Sequence, residues 1–232
     1  MLDTTNLLWY SSIAVEFLFC LYLMWTRLAK SYPVFTTCLG CSVLRSLAAI
    51  YFMQGAVGAL LPLKYTYFWL WTEPLWLLLQ VAVALEVHSK IWKDYQAVLQ
   101  QTRPLLLFAL LTALVAAGIP VKAELARAGA SHLLAVMHFA FLVTRYTSSV
   151  LAIFLVLSAI LFLVVVHNGT RSSIFRHEGM LAAYFGIYAV ATLLVGMGWS
   201  RAVFVNSYLA SALTLCFVMW FSVFRPQPLP SE

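Results

Sequence analysis

The sequence predicts an all-α polytopic membrane bundle of seven transmembrane helices, with the N-terminus outside and the C-terminus cytoplasmic. Composition is the first observation behind this prediction. Of the 232 residues, 63% are hydrophobic and 9% are charged, whereas soluble domains are about 25% charged and about 45–50% apolar. The second observation is that the apolar residues form seven long segments. Together these observations exclude a water-soluble globule, a disordered chain and a disulfide scaffold.

The segments are long enough to cross a bilayer, for which an α-helix needs roughly 20 apolar residues. Their bounds are 6–26, 34–57, 65–88, 104–121, 132–166, 179–199 and 202–224. We interpret them as helices because lipid-facing barrel strands would alternate polar and apolar residues. The fourth is short, whereas the fifth has 35 residues and either projects beyond the bilayer or breaks near 144–149. We expect one transmembrane domain over 1–232.

The lysines and arginines outside the segments predict the orientation, because cytoplasmic loops carry the excess of these residues. Eight lie on one side: Arg27, Lys30, Lys90, Lys93, Arg103, Arg171, Arg176 and Arg225. Four lie on the other: Lys64, Lys122, Arg127 and Arg201. The majority side predicts the cytoplasmic face of a multi-pass protein of the cell membrane. Since these residues are scattered singly, the net charge of +6 indicates topology and no nucleic-acid partner.

Four charged residues lie within the segments: Glu16, Arg45, Glu73 and Arg145. Each costs ~2.5–3.5 kcal/mol at the centre of a membrane helix, so we expect them to pair or to face water. Glu16 and Arg45 match in depth, and the sequence predicts an intramembrane ion pair between them. Glu73 and Arg145 are predicted to meet in the outer half. Such pairs either lock helices together or form part of a ligand or ion site. The third alternative is that one or more of the four side chains extends its charged group to the membrane surface.

Polar side chains follow helical spacing near these charges. Trp69, Glu73 and Gln80 share a face of the third segment, and Tyr188 belongs to a polar stripe on the sixth. These stripes either pack helices through hydrogen bonds or line a polar cavity in the outer half. The candidate ligand-cavity residues are Trp69, Glu73, Gln80, His138, Arg145, Tyr188 and Asn206.

The run 69–78, Trp-Leu-Trp-Thr-Glu-Pro-Leu-Trp-Leu-Leu, is similar to the third helix of microbial rhodopsins. That resemblance implies a seven-helix scaffold with an outer N-terminus. It does not extend to the cofactor: covalent retinal needs a lysine in the last helix, and segment 202–224 contains none.

The whole chain also resembles a set of bacterial seven-helix integral membrane proteins with no assigned activity. The residues that carry this resemblance are Tyr32-Pro33, Trp71 and Glu73, Glu86, and Trp220 before Arg225-Pro226. It implies a scaffold and no particular chemistry.

The motifs that mark common enzymes are absent from the sequence, including His-Glu-x-x-His, Gly-x-Ser-x-Gly and the phosphate-binding loop. The Cys38-x-x-Cys41 pair has no second pair or histidine cluster to complete a metal site. We therefore expect neither an enzyme nor a bound cofactor or metal.

Three functions stay open on the sequence alone. The favoured hypothesis is a receptor-like sensor that binds a small molecule in the outer-half cavity and acts through a protein partner or a homo-oligomer. The first alternative is a small proton- or ion-coupled transporter with Glu73 as the titrating group. The second is an accessory subunit of a larger membrane complex.

Overall fold

The computed structural model describes residues 4–53, 63–125, 132–165, 173–196 and 202–223. Over these residues the chain is helical, which confirms the all-α prediction. The helices are α1 (Thr4–Trp25), α2 (Leu28–Ser31), α3 (Pro33–Met53), α4 (Leu63–Ile91), α5 (Gln96–Leu125), α6 (His132–Val165), α7 (Ser173–Gly196) and α8 (Ala202–Val223). The fifth predicted segment is the 34-residue helix α6, which continues without a break through 144–149.

Within the described ranges, five helices are long and apolar enough to cross a membrane, over Leu7–Trp25, Pro33–Met53, Leu63–Ile91, Gln96–Lys122 and Ala135–Val165. A shorter apolar stretch, Tyr208–Ser222, lies in α8. These helices support an integral, multi-pass membrane protein. The count of seven crossings and the placement of the N-terminus outside stay predictions.

Six of the long helices form a closed ring: α1, α3, α4, α6, α7 and α8 pack in that order, and α8 packs back on α1. Helix α5 packs outside this ring against α6. Helices α4 and α6 run parallel, because Glu73 contacts Thr144 at one level and His88 contacts Ser158 at another. We call the end where α1, α4, α6 and α8 begin the N-terminal end of the bundle, and the other the opposite end.

An aromatic cluster packs α1, α3 and α8 together toward the opposite end. The Phe19 ring lies 5.8 Å from that of Trp220, and Phe35 lies 4.9 Å from the same indole. Phe19 and Trp220 are almost completely buried, so this cluster forms the main apolar core. Large apolar side chains such as Trp71 and Leu78 are instead exposed on the outside of the bundle, which suits a lipid environment.

Glu86 fixes the start of α3. Its two carboxylate oxygens accept hydrogen bonds from the backbone amides of Val34 (3.3 Å) and Phe35 (2.9 Å). The first amides of a helix have no partner within the helix, and its N-terminus attracts negative charge. Pro33 suits the first helical position because it has no amide hydrogen to satisfy. The carboxylate thus joins the C-terminal part of α4 to the beginning of α3.

Candidate functional site

A cavity of about 610 Å³ lies inside the ring toward the N-terminal end. All six ring helices contribute to its wall, and its volume falls within the range of about 300–1,000 Å³ that is typical of small-molecule sites. Its polar and charged lining consists of Ser12, Glu16, Ser42, Arg45, Ser46, Tyr65, Glu73, Thr144, Tyr184, Tyr188 and Thr192. The indoles of Trp9, Trp69 and Trp76 also line it.

An ion pair between Arg45 and Glu73 lies in the wall of this cavity. The Arg45 Nη2 donates to Glu73 Oε2, and its Nε donates to Thr72 Oγ1 at 3.1 Å. The hydroxyl of Thr144 donates to the other carboxylate oxygen, Oε1, at 2.6 Å. Both oxygens of Glu73 therefore accept a hydrogen bond, and this carboxylate joins α3, α4 and α6.

The ion-pair partner predicted for Arg45 was wrong: the structure pairs Arg45 with Glu73 and not with Glu16. Arg45 lies eight residues before the end of α3, and Glu73 lies ten residues after the start of α4. Successive antiparallel helices bring these positions to nearly the same depth. Glu16 also lies at a compatible depth, so depth could not decide between the two acids. Two further contacts between helices select Glu73: the Thr72 hydroxyl accepts from Arg45, and the Thr144 hydroxyl donates to Glu73.

The predicted contact between Glu73 and Arg145 is also corrected. The residue of α6 that reaches Glu73 is Thr144. Consecutive residues of an α-helix point about 100° apart, and among the described residues the ion pair of Glu73 is with Arg45, not Arg145. The Arg145 guanidinium lies instead 5.8 Å from the ring centre of Tyr146.

Glu16 is a second buried carboxyl group in the cavity wall, with 7% of its surface exposed. The side chain of Ser42 on α3 lies close to it, in the same wall. The hydroxyls of Tyr184 and Tyr188 lie close enough to interact with it electrostatically. Among the described residues, the ion pair formed by Arg45 goes to Glu73, and no cation pairs with Glu16.

The remaining candidate residues fall in different places. Trp69 and Tyr188 line the cavity beside Glu73, and Tyr184 and Thr192 of the same α7 stripe join them. Gln80 lies deeper, in a separate pocket of about 20 Å³ that Glu16 and Tyr184 also line. Both side-chain polar atoms of Gln80 are buried, with no hydrogen-bond partner among the described residues. His138 and Arg145 lie on α6 away from the cavity lining, and the side chain of Asn206 lies outside the described residues.

A buried hydrogen-bonded chain at the opposite end was missed by the sequence analysis. Thr102 Oγ1 donates to the carbonyl of Val98, so it accepts from His88 Nε2 at 2.7 Å. His88 Nδ1 is then an acceptor for the Ser158 hydroxyl at 2.9 Å, and the indole of Trp92 donates to the Ser158 oxygen at 2.9 Å. A neutral His88 satisfies every member of this chain, which joins α4, α5 and α6.

His177 and Glu178, also missed, are completely buried in the first turns of α7. The indole of Trp220 donates to His177 Nδ1 at 2.8 Å. Both oxygens of Glu178 lack a hydrogen-bond partner among the described residues. The hydroxyl of Ser158 lies nearby. In the sequence these two residues fall in a charged loop before the sixth segment, where the pattern predicts exposure.

Tyr32, next to this region, precedes α3. Burial, and to a smaller extent the Glu86 carboxylate, raises the pKa of its phenol to about 12. The ammonium of Lys90 lies 4.5 Å from the centre of its ring. The neutral ring and the cation thus pack together at the opposite end of the bundle.

No group of three or more His, Cys, Asp or Glu side chains within the described parts of the chain could hold a metal ion. Comparison of the chain with protein-family models, with curated proteins and with solved structures finds no match. The functional interpretation therefore rests on the residues of this chain.

Proposed function

We propose that this protein is a receptor-like membrane sensor that binds a small molecule in the cavity at the N-terminal end of the bundle. The observation that carries the proposal is the cavity itself, since about 610 Å³ lined by six helices is large enough for a small organic ligand. It combines aromatic walls with a few polar groups, which is the usual composition of such sites.

The arrangement of the wall suggests how binding would be transmitted. A ligand in the cavity contacts helices that the Glu73 carboxylate already holds together through Arg45 and Thr144. A ligand that binds one packing of these helices better than another shifts the population toward it. A protein partner, or a second copy of this chain, would bind one of these helix packings in preference to the other and so respond to the ligand.

A small proton- or ion-coupled carrier is the second candidate, and a line of buried polar groups favours it. Glu16 lines the cavity and also the deeper pocket that contains Gln80 and Tyr184. Trp220 lines the same deeper pocket and donates to His177 at the opposite end. Because Glu73 is bound by Arg45 and Thr144, Glu16 replaces it as the titrating group of this hypothesis.

The test is a screen of small molecules for a shift in the melting temperature of the purified protein in detergent. We expect saturable hits that disappear in Ala191→Phe, which fills the cavity, and persist in Ala183→Phe, which adds the same ring on the exposed side of α7. Hits that respond equally to both variants, or no hits at all, would overturn the proposal.

Flux into proteoliposomes separates the two candidates. Saturable binding without ligand flux supports the sensor. Uptake of the ligand that Glu16→Gln abolishes and Ala183→Phe leaves unchanged would support the carrier instead.

A further inference from the structure

We infer that the ligand of the cavity is a small organic cation, an amine or a quaternary ammonium, with Glu16 as its counter-ion. This inference rests on the proposed function of the cavity and names the chemical class of its ligand. The charges of the cavity lining, the surroundings of Glu16 and the aromatic walls carry it.

The charged groups among the described lining residues are Glu16, Arg45 and Glu73. Arg45 and Glu73 form an ion pair and neutralise each other. Both oxygens of Glu73 accept hydrogen bonds, and the Arg45 Nε is engaged with Thr72. Glu16 is left as the uncompensated acid of the cavity wall, so the wall favours a positive ligand when Glu16 is ionised.

The surroundings of Glu16 do little to stabilise its negative charge in the absence of a ligand. It is buried in the middle of α1, and the polar group near it on α3 is the neutral Ser42 hydroxyl. An isolated charge inside a membrane bundle is costly, and an opposite charge at close range offsets that cost. A cationic ligand supplies the opposite charge that the described residues do not.

The aromatic walls of the cavity that Glu16 lines are suited to the body of such a ligand. The rings of Trp9, Trp69, Tyr65 and Tyr188 line the cavity, and aromatic faces attract cations, most strongly where water is excluded. One ring of the wall already forms a cation–π contact within the protein: the Arg45 guanidinium lies 5.7 Å from the centre of the Trp76 ring.

The experiment compares three probes of similar size and different charge: benzyltrimethylammonium, its neutral carbon isostere neopentylbenzene, and the anion phenylmethanesulfonate. Each is titrated into the full-length protein in detergent, with quenching of tryptophan fluorescence as the readout. We expect the cation to bind at least about tenfold more tightly than either other probe. Ala191→Phe should abolish its binding.

Two variants test the role of Glu16. Glu16→Gln keeps the shape and a hydrogen-bonding group but removes the charge, so it should weaken binding of the cation about tenfold and leave the neutral probe within about twofold. Glu178→Gln is the matched control, because Glu178 is a buried acid away from the cavity lining, and it should leave binding of the cation unchanged.

Several outcomes would overturn the inference. Preference for the sulfonate would assign recognition to Arg45, and equal binding of the cation and the neutral probe would assign it to the apolar walls. Failure of the cation to bind would reject the ligand class. The proposed function survives each of these results if the wider screen still finds ligands that Ala191→Phe excludes, and it falls with the inference if that screen finds none.

Discussion

Thr144 donates a 2.6 Å hydrogen bond to Glu73 and thereby joins α6 to the α3–α4 ion pair. Since Arg45 occupies the other carboxylate oxygen, one buried acid fixes three helices at the level of the cavity. The consequence for stability is specific: Glu73 is favourable only while its partners are present, because an unpaired charge inside a bundle is the costly state.

The first prediction concerns this pair. Arg45→Leu and Glu73→Leu each leave one buried charge without its partner, and each should lower the free energy of unfolding by about 3–5 kcal/mol. The double variant should lose less than the sum of the two, because it leaves neither charge. Unfolding in mixed detergent micelles, followed by circular dichroism, measures the three values.

The control for the first prediction uses Arg145, which the sequence analysis paired with Glu73. Arg145→Leu combined with Glu73→Leu should show additive losses, since the two side chains do not meet. Coupling between Arg145 and Glu73, with additivity between Arg45 and Glu73, would show that the pairing has been assigned to the wrong arginine.

Helix periodicity determines which residues of one helix share a face, and contacts between helices determine which of those residues meet. The helical segments were predictable, because each helix must present an apolar surface to lipid over its whole length. Trp69, Glu73 and Tyr188 could be placed on interior faces because the spacing within a helix is fixed. Which arginine meets which acid was not predictable, since it depends on the rotation of each helix about its own axis. The side chains of Thr144 and Arg145 are one residue apart, so their directions differ by about 100° around the axis of α6.

The burial of polar groups at the opposite end likewise depends on contacts between helices and was not predictable from the local sequence. His177 and Glu178 stand next to Arg176 in a charged stretch of sequence, and local composition predicts a loop. The structure continues α7 through this stretch and buries both side chains. Their burial depends on Trp220 and Ser158, which come from other helices and are distant in sequence.

The second prediction concerns Glu86, which accepts hydrogen bonds from the backbone amides of Val34 and Phe35 at the start of α3. Glu86→Gln keeps one acceptor oxygen and loses the negative charge, so it should lower the free energy of unfolding by about 0.5–2 kcal/mol. Hydrogen exchange at Val34 and Phe35 should speed up more than exchange at the middle of α3. Unchanged exchange at these amides would mean that the carboxylate does not hold them.

The third prediction concerns the chain from Trp92 through Ser158 and His88 to Thr102. Ser158→Ala removes the partner of both the Trp92 indole and His88 Nδ1. Each buried group left without a hydrogen bond costs about 1–3 kcal/mol, so this variant should be among the more destabilised single changes. The control is Ser89→Ala, because the Ser89 hydroxyl donates to the carbonyls of Leu85 and Glu86 in its own helix. Equal melting temperatures of the two variants would contradict the prediction.

The fourth prediction tests the orientation derived from the lysines and arginines. Asp94 is exposed in the turn between α4 and α5, and Lys122 is exposed near the other end of α5. In intact cells, a membrane-impermeant maleimide should label Lys122→Cys and should label Asp94→Cys only after the membrane is opened. The four native cysteines are buried or half-buried, so a background variant without them is the appropriate reference. Labelling of Asp94→Cys in intact cells would reverse the orientation.

The last prediction compares two acids near the opposite end whose surroundings differ. Glu86 accepts two backbone hydrogen bonds, whereas Glu178 is completely buried with neither oxygen hydrogen-bonded among the described residues. Burying a polar group without a hydrogen bond costs free energy, so replacing it with an apolar group of similar volume removes that cost. Glu178→Met should therefore keep or raise the melting temperature, and Glu86→Met should lower it. If Glu178→Met unfolds the protein as readily as Glu86→Met does, the carboxylate of Glu178 has a stabilising partner, and its burial is part of what holds α7 in the ring.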